Sequence, residues 1–436
     1  MKKDVHSKKN RKWLTAVVAN SAGEIFELEG YAAVGMSGAA LKPLWVHETR
    51  PMPFGSELML LPDRTPMLYH LQKKQIEVMT HNPYRPSERI YPVAAFNSPG
   101  YIVTHVSAYQ DARHADPLPL FSYGAVGWHR DVFRSAVICV DRERRQDLRL
   151  MKNHHVAAGL ERMRKKLPGN RLRKHLETCA LTYGCPAGKN FFLGRYEAPL
   201  PTATACNARC LGCLSLQKNK QIPCSQERIS FTPRPEEIAG VAVTHLEKVS
   251  KGIVSFGQGC EGDPLLATHV IGPAVRLIRA KTSKGTIHVN TNGSLTKQLE
   301  QLISAGIDSV RISINSFRKS WYHAYFRPMG YHFSDVVNSI DLSLKKGLYV
   351  SINYLNMPGL TDTPEELESL FSFIRRYPIH RIQWRNLNFD PLRYYEAMHR
   401  AAPCGEALGV SSLLNRIQKE FPYLSHGYFN PPKEAW

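Results

Sequence analysis

Cys206-Asn207-Ala208-Arg209-Cys210-Leu211-Gly212-Cys213 packs three thiols into eight residues, with three and then two residues between them. Thiolate is the ligand iron–sulfur clusters take, and spacings this short let one loop wrap one cluster. A [4Fe–4S] cube has four irons, so three protein ligands leave one iron open to a substrate or a second cofactor. The competing reading is a zinc knuckle. Zinc prefers four ligands in two pairs, often C-x2-C with a distant second pair. That reading would make the chain a metal-stabilised nucleic-acid-binding protein without catalysis, and metal analysis separates the two.

Outward from this loop, residues 198–390 alternate short apolar runs with helical patterns, the pattern of a parallel β/α sheet. The sequence predicts strands near Pro201–Ala205, Gly252–Phe256, Thr286–Asn290, Ser309–Ile314, Tyr349–Tyr354 and Arg381–Asn386. Helices are predicted at Pro235–Val249, His269–Lys281, Leu295–Ala305, Ser334–Lys346 and Pro364–Arg376. In β/α barrels chemistry collects at the C-terminal ends of strands, and the cysteine loop follows the first predicted strand. Gly257-Gln258-Gly259-Cys260-Glu261-Gly262-Asp263-Pro264 follows the second, where glycines allow a ligand close to the backbone. Asn290-Thr291-Asn292-Gly293 follows the third and also reads as an ordinary Asn-Gly turn. On the fourth, Ser313 and Asn315 share one face by strand alternation, with Arg311 on the same side. Asn353 on the fifth strand and Gln383 with Trp384 on the sixth complete the polar candidates.

The C-x3-C-x2-C loop resembles the signature of the radical S-adenosylmethionine (SAM) enzymes without a gap or substitution. The resemblance implies a partial (β/α)6, TIM-like barrel carrying a β-rich N-terminal domain. It implies a [4Fe–4S] cluster on Cys206, Cys210 and Cys213, with the amino and carboxylate groups of SAM chelating the open iron. The reduced cluster would cleave SAM to a 5'-deoxyadenosyl radical that abstracts hydrogen from substrate, with electrons from a donor such as flavodoxin or ferredoxin. Gly262-Asp263-Pro264 is similar to the family's Gly-Gly-Glu-Pro segment, with Asp for Glu, and would hold the methionine amino group. Asn292-Gly293 resembles its Thr-Asn-Gly turn. Ser313 and Asn315 would meet the carboxylate and ribose, Asn353 the ribose hydroxyls and Gln383 the adenine.

The 436 residues exceed one ordinary core. Residues 1–150 read as a β-rich domain of unknown role, with strands at Trp13–Val18, Ile25–Val34, Ser56–Leu61 and Val93–Val106. Its histidines His105, His114 and His129 lack metal spacing. Residues 151–197 read as a basic helical linker: eight Lys or Arg stand against Glu161 and Glu177 before the end of its second helix. Such a stretch either tracks phosphates or faces water. Residues 391–436 hold one helix, near Ser412–Glu420, and an aromatic tail able to cover the open end of a barrel.

Nine cysteines in an intracellular chain point to metal more than disulfides. Cys179, Cys185 and Cys224 are candidates for a second, auxiliary iron–sulfur cluster, with Cys260 or Cys404 as a fourth ligand, against the plainer reading of buried thiols. The N-terminus from Met1 to Ala19 only faintly imitates a secretory signal, and no apolar run reaches membrane-spanning length. The expectation is a cytoplasmic protein with no membrane partner. A net charge of +20 attracts polyanions. It favours RNA as substrate, while the cysteine-rich neighbourhood favours a peptide or protein. Trp321-Tyr322-His323-Ala324-Tyr325-Phe326-Arg327-Pro328 interleaves aromatic and basic residues, a texture that stacks on bases or grips a peptide when it is not core packing.

Overall fold

The computed structural model describes residues 12–144 and 147–436, so the signal-like reading of residues 1–11 lies outside it. The apolar half of that stretch is a β-strand, Thr15–Asn20. The chain divides into two compact units. One takes the N-terminal residues to Val140 together with Asn356–Leu367 and Asn386–Lys419, and the other takes Asp141–Leu355, Glu368–Arg385 and Glu420–Trp436.

A seven-stranded sheet organises the second unit: β1 (Glu197–Pro199), β2 (Ile253–Phe256), β3 (Thr286–Thr291), β4 (Ser309–Ile314), β5 (Tyr349–Asn356), β6 (Arg381–Asn386) and β7 (Ser425–Gly427), in chain order. The registered pairs are parallel, for instance Ile253↔Thr286 and Val310↔Val350. Apolar residues explain the sheet. Ile253, Val254, Ile287, Val289, Val310, Ile312, Val350 and Ile352 are fully buried, as strands covered by crossover helices require. Those crossovers carry α4 (Pro235–Lys248), α5 (Thr268–Lys281), α6 (Thr296–Ala305), α7 (Lys319–Phe326), α8 (Phe333–Lys345) and α9 (Pro364–Arg376).

The first strand lies earlier than Pro201–Ala205. Its pairing runs from Glu197↔Ile253 to Pro199↔Ser255 and closes with the Leu200 N–H on the Ser255 carbonyl at 2.8 Å. Pro201 offers no N–H to continue the ladder. The cysteines therefore sit on a loop that leaves β1 directly. The tail also departs from expectation. It holds two helices, α10 (Pro391–Ala401) and α11 (Val410–Glu420), and the extra strand β7. One tail residue links the first strand to the sixth: Asn430 donates to Glu197 at 2.7 Å and accepts from Gln383 at 2.9 Å.

The first unit is antiparallel and β-rich. Thr15–Asn20 pairs with Ile25–Ala32, Arg85–Phe96 and Val126–His129. Ala16, Val18, Leu28, Tyr31, Leu68 and Ile90 form one of its cores. The run expected as one strand from Val93 to Val106 breaks after Phe96, where Asn97-Ser98-Pro99-Gly100 turns the chain. Asp390 is fully buried here; it accepts from Arg64 Nη2 at 3.2 Å and from the Leu118, Leu392 and Arg393 N–H groups, the last two capping α10. Arg64, 2% exposed, also donates to Asp111 at 2.9 Å. A buried charge of this kind persists because it is both paired and hydrogen-bonded.

Ahead of β1 in the second unit come α1 (Asn153–Lys166), α2 (Arg171–Leu181) and α3 (Pro186–Leu193). Much of their positive charge is paired internally. Arg164 and Arg173 share Glu177, Arg162 caps the Phe192 carbonyl, and Arg171 forks onto Glu237 at the start of α4. Glu237 accepts from Arg171 Nε, Nη2 and main-chain N–H and from the Arg234 N–H. The Arg171 hydrogen bond holds its carboxyl down at about 2. The folded pKa lies below the unfolded one, so this stabilisation is present above about pH 4.5 and is lost as pH falls toward 2. Glu237→Gln is expected to cost about 1–2 kcal/mol near neutrality, allowing for solvent around the half-exposed Arg171. In urea unfolding, the gap from the parent should close as pH drops through that window.

Candidate active site

The cysteine loop has no helix or strand of its own and is held by backbone bonds to distant segments. The Arg209 and Leu211 N–H groups donate to the Phe326 and Tyr325 carbonyls at 2.9 and 3.0 Å, and the Met329 N–H donates to the Asn207 carbonyl at 2.9 Å. The end of α7 is thus the loop's dock. This settles the aromatic stretch at 321–328: Trp321, Tyr322, Tyr325 and Phe326 are all buried, with Tyr322 stacked on Phe326 at 4.5 Å. They pack and support. His323 and Arg327 of the same stretch are exposed.

Cys206, Cys210 and Cys213 are half-buried on this loop and close enough to interact electrostatically. Burial and the neighbouring Asp263 push the Cys206 thiol up to about 11, and burial with Cys206 and Cys213 alongside pushes Cys210 well above the usual range. Cys206 and Cys210 held this way resist ionising until a cation joins them, and a coordinating cation deprotonates a thiol outright. Among the described residues, only His175, Cys179 and Cys260 bring three ligand atoms within 4.8 Å of one another. Three thiols from one loop are the donor set of an iron–sulfur cluster with one open iron, and one ligand short of a closed zinc site. The Arg228 guanidinium lies against the trio, 3.6 Å from Cys213 Sγ and 3.2 Å from Ser215 Oγ.

Two buried carboxylates order the loop after β2, mostly through main-chain N–H groups. Glu261 accepts from the Thr202 and Ala203 N–H groups at 2.8 and 2.9 Å and from those of Gly257 and Gln258 at 2.6 and 2.7 Å. Burial pushes its carboxyl up to about 7, against four N–H groups that favour the charged form. Asp263 accepts from the Leu265 N–H at 3.0 Å, Thr291 Oγ1 at 2.8 Å and the Asn292 N–H at 2.7 Å. Asp263 therefore braces the turn after β3. Gly262 lies against Ala205, its N–H on the Ala203 carbonyl at 2.6 Å, and Pro264 opens a short 3-10 turn. Asn292 in turn donates to Asn207 Oδ1 at 2.8 Å, and Ser294 and Asn207 bond each other at 2.9 Å. The residue beside Cys206 is thereby fixed from the third strand.

The other candidates lie on the sheet. Ser313 and Asn353 are directly paired in register across β4 and β5, both half-buried. Asn353 Oδ1 is buried without a hydrogen-bond partner among the described residues, an acceptor suited to a hydroxyl. Asn315 donates to the Trp321 carbonyl at 3.1 Å, which anchors α7. Gln383 is fully buried between Arg311 and Asn430. Both ends of its amide are engaged, leaving it a part of the interior more than a face for adenine. Arg311 is fixed to Gln383, and desolvation pulls its guanidinium down to about 9.

The auxiliary set changes membership. Cys179 and Cys260 are buried together, Cys185 accompanies them, and Cys224 is exposed. Cys404 falls in the first unit, lining a cavity of about 1430 Å³ with Lys42, Glu48 and His105. Sequence reasoning passed over Arg228, Glu261 and His175. His175 was legible, four residues before Cys179 on one helix face. Arg228 carries no local signal.

A parallel β/α sheet with a three-thiol loop at the C-terminal end of its first strand sets that loop where β/α folds collect their chemistry. Residues 200–374 match the model of the radical SAM superfamily. The chain carries a radical SAM domain over those residues. Curated relatives include a GTP 3',8-cyclase of Chlorobaculum tepidum, 23% identical over 52% of this chain and 62% of its own. A mitochondrial GTP 3',8-cyclase of Arabidopsis thaliana is 26% identical over 53% and 54%. The chain thus spans at most about three fifths of the length of these relatives. Among solved structures, HydG, a maturase of the [FeFe]-hydrogenase, aligns at 14% identity over 63% of this chain and 67% of that one, with a TM-score of 0.40. No helix among the described residues is long and apolar enough to cross a membrane.

Proposed function

We propose that Cys206, Cys210 and Cys213 hold the [4Fe–4S] cluster and that SAM binds beside it, over the ends of β2 to β5. When bound and reduced by a donor such as flavodoxin or ferredoxin, the cluster supplies one-electron cleavage of SAM to a 5'-deoxyadenosyl radical for hydrogen abstraction. The carrying observation is the gathered trio of half-buried thiols on the loop that leaves β1. Gly262, Asp263, Pro264 and Asn292 position that loop. Asn353, with its vacant acceptor, and Ser313 beside it are the side chains we assign to the nucleoside. Asn315 and Gln383 support from behind.

For substrate we propose a nucleotide first. The relatives above are named for GTP, and a net charge of +20 suits an anion. The peptide and RNA readings lose support with the burial of Trp321, Tyr322, Tyr325 and Phe326. Anaerobic incubation of the reconstituted protein with SAM and dithionite tests both levels. 5'-Deoxyadenosine should form and rise when GTP is added. A rise with peptide or RNA instead would remove the nucleotide reading, and no 5'-deoxyadenosine from fully loaded protein would remove the activity.

Arg228 makes a separate prediction. A guanidinium on a ligand sulfur favours the more negative, reduced cluster. Arg228→Leu is expected to lower the reduction potential by on the order of 60 mV, a tenfold change in a one-electron equilibrium. A redox titration followed by electron paramagnetic resonance reads this directly, with the iron content unchanged.

A further inference from the structure

We propose that His175, Cys179, Cys185 and Cys260 bind a single tetrahedral metal ion, zinc by the chemistry of the donors, separate from the cluster loop. The ligand atoms of His175, Cys179 and Cys260 all lie within 4.8 Å of one another, with His175 Nε2 3.5 Å from Cys179 Sγ. Cys179 and Cys260 are 2% and 5% exposed. His175 and Cys179 stand four apart on α2, which places both on one face. Cys185 completes the set. Its N–H donates to the Cys179 carbonyl at 2.9 Å, and its thiol is close enough to interact electrostatically with both Cys179 and Cys260. A Cβ at Gly188 would stand 3.3 Å from Cys179 Cβ, so the glycine lets α3 approach α2 closely here.

Ligand number and spacing choose the kind of ion. Three thiols and an imidazole are a closed Cys3His set, the composition of structural zinc. The donors of His175, Cys179 and Cys260, within 4.8 Å of one another, need only a small contraction to reach the roughly 3.8 Å of a zinc tetrahedron, with Cys185 moving in as the fourth ligand. The consequence is mechanical. Cys260 adjoins Glu261 and lies three residues before Asp263, the two carboxylates that order the cluster loop. An ion here pins α2 and α3 to that segment. The ion would stay in place if the loop bound no cluster, so this site is tested apart from the reading above.

The test uses the full chain with Cys206→Ala, Cys210→Ala and Cys213→Ala, purified anaerobically with zinc and checked for folding by circular dichroism. Elemental analysis should find about one zinc per chain and no matching iron or sulfide. Adding Cys179→Ser and Cys260→Ser should cut zinc at least tenfold. Because that variant can misfold, a second measurement uses the triple variant loaded with cobalt instead. It should show the intense visible bands and the thiolate charge-transfer band of a tetrahedral site. A folded triple variant that takes neither zinc nor cobalt would overturn the proposal. So would iron with sulfide in zinc's place, or a Cys179–Cys260 disulfide found by thiol counting.

Discussion

Cys210→Ala is expected to bring cluster iron to background and 5'-deoxyadenosine formation below detection while the fold survives. The argument rests on which atoms hold the loop. Its dock is made of main-chain bonds, Arg209 and Leu211 to Phe326 and Tyr325, and alanine at 210 keeps all of them. The sulfur does something else. It is the middle ligand of the trio, pressed by burial and by Cys206 and Cys213 far from ionising until a cation arrives. Removing it leaves two ligands where the cube needs three, and no unused thiol of the motif can substitute. Iron and sulfide assay, the visible chromophore and circular dichroism separate the outcomes. A brown, SAM-cleaving variant would refute the assignment of the cluster to this loop. A colourless, unfolded one would show that the thiol is also structural.

What could be read in advance follows the range of the interaction. β4 and β6, and helix α9, were legible to the residue because each is a local pattern of apolar period and capping. The cysteine loop was legible for the same reason, since its spacing lies within eight residues. β1 was misplaced because apolar Thr202 to Ala205 look like a strand, while prolines decide where pairing stops. Helix α10 carried a readable signal, Asp390 as cap and Pro391 in the first turn, inside a polar sequence that hid its buried face. β7 has three residues and no pattern to find.

The site residues divide along the same line. Asp263 and Asn292 were found by their strand-end positions, yet their partners lie 28 to 85 residues away, and partners decide roles. A carboxylate with three donors already on it braces a turn. Glu261 went unnoticed because all four of its partners are main-chain N–H groups, which leave no trace in side-chain identity. The aromatic stretch at 321–326 erred in the opposite direction. Its composition matches a binding surface, and only burial tells the two apart.

Gly262→Ala should slow 5'-deoxyadenosine formation at least about 100-fold, a loss far larger than one methyl group would ordinarily bring. The methyl would lie 1.8 Å from the Ala205 carbonyl oxygen and 2.4 Å from its carbon, and neither is a side chain that can swing aside. Backbone must move by on the order of 1 Å, the scale at which misplacement costs about two decades of rate. The strands of chain that must separate are the two that set the site. On one side Ala205 leads straight into Cys206. On the other the Asp263 N–H holds the Ala205 carbonyl at 2.9 Å, and its carboxylate holds Asn292. Displacing either one shifts a cluster ligand against the turn that fixes Asn207. Gly272→Ala is the control: it sits inside α5 with only the tip of Arg276 nearby, at 3.8 Å. There alanine should leave the rate unchanged and stabilise the helix by up to about 1 kcal/mol. Equal rates for the two variants would mean that contact between residues 205 and 262 does not govern how the cluster loop is placed.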